Sequence, residues 1–230
     1  MIQNRIAALV FRVGGFLFAL VGLLTHIDIF SGNLNVGLFM YYTIQSNILA
    51  LIMFGILAIR TIKGLREDGK WGTTSYFARF EMICVIDLLL TLIVYWVLLA
   101  PQTFSMAGDF TLFTFDNLSV HLITPALCLI DYILFTKSSH LKYRDVYYVL
   151  IYPLSYVGFT IVAAKLGYVF NISPVDGNPV RYPYFFFDFD RVGAKAFLYI
   201  GGLVIFFLIL SHLLYFLDKK IKKPVFNKRK

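Results

Sequence analysis

Six apolar stretches, each about 20 residues long and separated by polar loops, commit this chain to a hydrocarbon solvent. They run approximately over 6–27, 38–59, 80–100, 113–135, 146–168 and 193–217. A backbone that crosses a bilayer must satisfy its own N–H and C=O groups, so each stretch is expected to be a helix. The predicted fold is therefore all-α, a single six-helix transmembrane domain over residues 1–230. Composition agrees. Charged residues make up 15% of the chain and hydrophobic ones 59%, whereas soluble domains carry roughly 25% charged residues. So few charges cannot clothe a globular surface.

The basic residues orient the helices. Arg5 precedes the first run; Arg60, Lys63, Arg66, Lys70 and Arg79 lie at or between the second and third; Lys137, Lys142 and Arg144 separate the fourth from the fifth. A basic tail, 218–230, follows the sixth, while residues 28–37 and 101–112 hold no Lys or Arg. The positive-inside rule then predicts both termini in the cytoplasm. The net charge of +8 is thus a topology signal and not a nucleic-acid surface. The first run is of spanning length without a small-residue cleavage site, so no cleavable signal peptide is expected. For a bacterial chain the membrane would be the plasma membrane. Cys84 and Cys128 lie inside apolar runs without zinc-ligand spacing and read as packing residues. Outside lies one long connection, 169–192, rich in Pro and aromatics, which is expected either to re-enter the interface or to plug the mouth of the bundle. Its Asn171-Ile-Ser173 matches a glycosylation sequon.

Polar residues inside the runs carry the functional signal, because ionisable groups are costly in hydrocarbon. In the second run Thr43, Ser46 and Asn47 fall at i, i+3 and i+4 and form a polar stripe. In the fourth, Asn117 and His121 share a face and Pro125 follows one turn later, removing a backbone donor. Both runs begin outside. Thr43 is expected about five residues down, roughly 7–8 Å, and His121 about eight, roughly 12 Å. A hydroxyl and an imidazole at one level are the minimum apparatus for nucleophilic catalysis. Ser46, Asn47 or Asn117 would then donate to an oxyanion or fix the imidazole tautomer. The same residue types also hold transmembrane helices together through hydrogen bonds, and spacing does not separate the two roles.

A second layer is expected from Asp87 and Asp131, as neighbours in the cytoplasmic half neutralised by Arg79 or Lys137. Glu81 and Lys165 sit near helix ends, and His26, His140 and His212 are too scattered to predict a metal site. Gly14, Gly15 and Gly22 in the first run, and Gly201 and Gly202 in the last, are expected to allow close helix approach.

Three short motifs carry a resemblance: Tyr42-Thr43-Ile-Gln-Ser-Asn47, Asn117-x3-His121-x3-Pro125, and Arg181-Tyr182-Pro183-Tyr184 before the last run. Together they resemble the bacterial six-span group labelled Pr6Pr, which is similar to the androgen-induced and androgen-dependent integral membrane proteins of animals. Those are threonine hydrolases that cleave fatty acid esters of hydroxy fatty acids. The resemblance implies Thr43 as nucleophile and His121 as base, with Arg181, Tyr182 and Tyr184 around the pocket. It implies a membrane lipid substrate entering from the bilayer and neither a metal nor an organic cofactor. A lipid acyltransferase and a non-enzymatic lipid-binding or transport protein remain the alternatives.

Overall fold

A computed structural model describes residues 1–101, 111–137, 141–173 and 176–221. Within them are six helices long and apolar enough to cross a membrane: α1 Arg5–His26, α2 Tyr42–Asp68, α3 Ala78–Leu99, α4 Phe115–Phe135, α5 Asp145–Lys165 and α6 Lys195–Lys220. The chain has the architecture of an all-α, multi-pass integral membrane protein. Much of the predicted tail, residues 222–230, lies outside the described residues, as do His140 and residues 102–110.

Helices α1 to α4 close into a ring, each packing on the next and α4 returning to α1. Local sequence explains the closest contact. Gly22 of α1 lies so tight against Ser119 of α4 that a Cβ there would overlap it, and Gly15 abuts the ring of Phe54. Gly14, Gly201 and Gly202 have nothing within 4 Å of a Cβ position, contrary to the packing role expected of them. Helix α6 packs on α3, while α5 and α6 approach each other closely only near Asp145–Tyr148.

At the end bearing the N-terminus, Asn4 caps α1 by accepting from the N–H groups of Ile6 and Ala7 at 3.0 and 3.2 Å. Arg5 ties the α2–α3 connection down through Gly69 O at 2.8 Å and Asp68 at 3.0 Å. One layer deeper, Arg12 is fully buried and grips Asp131 with two bonds, Nε–Oδ1 at 3.0 Å and Nη2–Oδ2 at 3.3 Å, and Thr61 Oγ1 at 2.7 Å. Asp131 is thus paired with Arg12, which the expected layer did not include, while Arg79 pairs with Asp145 at 2.9 Å. Glu81, near the start of α3, is buried beside this pair and is hydrogen-bonded to Thr136 and to the Phe77 N–H. Asp87 does not join the layer. Its Oδ1 accepts from the Tyr42 hydroxyl at 3.0 Å, near the middle of α3 and beneath the start of α2.

The long connection before α6 folds back on the bundle. A hairpin pairs β1 Asn171–Ile172 with β2 Pro179–Val180, and a turn at Phe185–Phe187 follows. Tyr182, Phe186 and Phe187 are buried, so the aromatic run plugs the bundle mouth. Asn171 of the sequon is exposed on the hairpin.

Candidate functional site

Helix α2 starts later than hydropathy predicts. Residues Val36–Met40 form a tight 3-10 segment, Tyr41 is extended (φ −87°, ψ 143°), and the α-helix begins at Tyr42. The apolar residues before Tyr41 prolong the hydropathy signal without prolonging the helix. Thr43 consequently sits in the first turn instead of five residues down. First-turn N–H groups have no intrahelical acceptor, and the helix dipole makes them a positive end. No Ser, Thr, Asp or Asn caps this one. Tyrosines do so: the Tyr42 N–H donates to the Tyr156 hydroxyl at 3.0 Å, and that hydroxyl donates to Met40 O at 2.9 Å. The Tyr184 phenol stands against the same turn, lining the cavity beside Thr43. Burial pushes the Tyr184 phenol up to about 12, so it carries a proton to donate at neutral pH.

Ser46 and Asn47 brace this turn. Ser46 Oγ donates to Thr43 O at 3.0 Å and lies 3.0 Å from Thr91 Oγ1. Asn47 Nδ2 donates to Thr43 O at 2.8 Å and to Val120 O at 3.0 Å. Both N–H bonds of that amide are spent on backbone, so Asn47 is a strut between α2 and α4 and not a free oxyanion donor.

Proline explains why α4 can accept that strut. The segment Ser119–Ile123 is a π turn, with the Thr124 N–H bonded to Ser119 O. Pro125 has no N–H to return to the preceding turn, whether to Val120 in π or to His121 in α register. Both carbonyls take side-chain donors instead, Asn47 on Val120 O and Trp96 Nε1 on His121 O at 3.2 Å. A second π turn, Tyr95–Leu99, ends α3 and faces the first. Single π turns inside α-helices concentrate at functional sites. Here they bring Tyr95 and His121 face to face, ring centroids 3.5 Å apart and planes within 14°.

His121 has a defined tautomer. Its Nδ1 lies 2.8 Å from Asn117 Oδ1 and 3.2 Å from Asn117 O, both acceptors. The Asn117 amide is oriented by its own Nδ2, which donates to Leu112 O at 2.7 Å. Nδ1 must therefore carry the proton, leaving the Nε2 lone pair as base. His26, at the end of α1, sets its ring edge-on to His121 at 5.7 Å, with Asp116 3.6 Å from its Nδ1. No three His, Cys, Asp or Glu side chains among the described residues group as metal ligands.

A cavity of about 70 Å³ lies between α3, α5, α6 and the Phe185–Phe187 turn. Thr43, Thr91, Tyr95, Tyr156 and Tyr184, with the Asp87-bonded Tyr42, are the hydroxyl-bearing residues of a wall that is otherwise aliphatic and phenylalanine. Of the expected site residues, Thr43 and Tyr184 meet there. His121 and Asn117 stand behind the Tyr95 ring and do not line it. Arg181 is at the surface, paired with both oxygens of Asp190 at 2.7 and 2.8 Å, and Tyr182 packs on Phe189. Tyr95, Tyr156 and His26 enter the neighbourhood without having stood out in the sequence. Comparison with known protein families, with curated proteins and with solved structures finds no match for the chain.

Proposed function

We propose that this protein is an intramembrane hydrolase of lipid esters that uses Thr43 as nucleophile and His121 as base. The observation that carries the reading is the position of Thr43, a hydroxyl in the first turn of α2 facing an apolar cavity. A carbonyl oxygen bound there would meet the positive end of a 27-residue helix and the Tyr184 O–H, which is how developing oxyanion charge is stabilised. Thr43 Oγ1 attacks the ester carbonyl carbon, its proton passes to His121 Nε2, and that proton leaves with the alcohol. Water, deprotonated by the same nitrogen, then releases the acid from the acyl-threonine. Asn117 holds the imidazole in the required tautomer. Acylation requires the Tyr95 ring to slide from between the cavity and His121. An alcohol in place of water would make the same site an acyltransferase. Both termini lie on the cytoplasmic side in this reading, from the basic loops gathered at that end.

One observation favours a second reading, a lipid-binding or transport pocket without chemistry. Thr43 is already engaged by Tyr184, and Tyr95 separates it from the imidazole. Kinetics of Thr43→Ala, His121→Ala and the double variant decide between them. Each single change should cut ester hydrolysis by about 10³-fold or more, with the double scarcely worse, because members of one catalytic unit are not additive. Additive, modest losses would instead indicate independent contributions to a binding pocket.

A further inference from the structure

Where the rest of a substrate lies can be read from the walls of the cavity. Pro153, Leu154 and Val157 of α5 line one side, and Ile200, Leu203 and Val204 of α6 the other. These two helices pack most closely near Asp145–Tyr148, and the cavity lies further along, in a wedge lined from both sides. Leu154 is 46% exposed on the outside of that wedge, at a position that a membrane-spanning chain turns to hydrocarbon. Toward the bundle mouth the path is closed. Tyr184, Phe186 and Phe187 line the cavity there, and Phe186 and Phe187 are only 5% and 4% exposed.

Size adds a second constraint. A pocket that encloses a drug-sized ligand has about 300–1,000 Å³. At about 70 Å³ this one holds an ester group and little else. A long chain attached to that ester has to leave through the wedge, and all six wedge residues are apolar. A charged head group would find no partner among them.

We infer that the α5–α6 wedge is a lateral portal. The substrate is a neutral long-chain ester whose ester group alone enters the cavity, while its alkyl chains remain between the helices in the bilayer. This deepens the proposed hydrolase reading and rests on it for the chemistry. The site then has no chain ruler: beyond the few carbons that reach the wedge, further length stays in lipid and is not measured by the protein.

Two measurements on the full chain in liposomes test the portal. In the first, para-nitrophenyl acetate and para-nitrophenyl palmitate are compared as substrates for wild type, Val204→Trp and the milder Val204→Phe. Filling the wedge should lower the palmitate-to-acetate turnover ratio by roughly tenfold or more for Trp, and less for Phe. A ratio unchanged in protein that remains monodisperse overturns the portal. In the second, a phospholipid with a photoreactive diazirine at mid-chain is irradiated in the same liposomes. Adducts on peptides containing Leu154, Val157 or Val204 support it, and adducts confined to other lipid-facing helix surfaces overturn it. Labelling of the wedge in a protein that hydrolyses neither ester would keep the portal and refute the hydrolase.

Discussion

Replacing Asp131 by asparagine should unfold this protein far more readily than any surface change, and the geometry sets the size. Arg12 is fully buried and bonded to both oxygens of Asp131, at 3.0 and 3.3 Å. The asparagine keeps the shape and one acceptor but strands a guanidinium that cannot shed its proton. Breaking a buried pair from one side costs about 3–5 kcal/mol. Thr61 still accepts from Arg12 Nη1 at 2.7 Å, and the Glu81 carboxyl stands close by, so a value near the lower bound, about 3 kcal/mol, is expected. Arg12→Met should cost less, because the abandoned carboxyl can take up a proton and become neutral. The double variant Arg12→Met with Asp131→Leu removes both charges and should return to within about 1 kcal/mol of wild type or exceed it. Equilibrium unfolding in mixed detergent and SDS micelles measures all three. Turnover per folded molecule should barely change. A double variant no better than Asp131→Asn would refute the stranded-charge reasoning, and a large loss of turnover in folded Asp131→Asn would make this layer functional.

Two further outcomes follow from packing and from charge. Gly22→Ala places a methyl group on Ser119 and should destabilise by about 1–3 kcal/mol, whereas Gly201→Ala, open on all sides, should be silent in the same unfolding assay. Reporter fusions after Lys70, after Thr136 and at Lys230 should score cytoplasmic and one near Asp176 external; a cytoplasmic Asp176 would require a missed or spurious span.

The spans were legible because hydrophobicity alone decides what enters hydrocarbon, and their positions shifted only where conformation parted from hydropathy. At Tyr41 it did. The apolar residues before it are tightly wound or extended, no capping side chain marks the change, and Thr43 moved to the first turn as a result. The Asn117–His121 pair was visible because an i, i+4 spacing on one helix needs no tertiary information. Its separation from Thr43 was not, since Tyr95 is an ordinary aromatic in sequence and acquires its position from a π turn. Arg12 is itself a signal in the sequence, because a lone charge within an apolar run demands a partner. Which carboxylate answers it depends on how α1 meets α4. The partner of Asp87 was hidden for a related reason, because counting residues along α3 does not reveal that the Tyr42 side chain reaches down to it.

The nucleophile itself offers the most direct test. Wild-type protein in liposomes, treated with a fluorophosphonate probe and digested, should carry the adduct on the peptide containing Thr43. Thr43→Val keeps the shape and removes the hydroxyl, so it should fold normally, take no label and hydrolyse no ester. His121→Ala should fold and label slowly, since the hydroxyl survives without its base. Hydrolysis by Thr43→Val at the wild-type rate, or an adduct on any other residue that tracks activity, would contradict the assignment of Thr43.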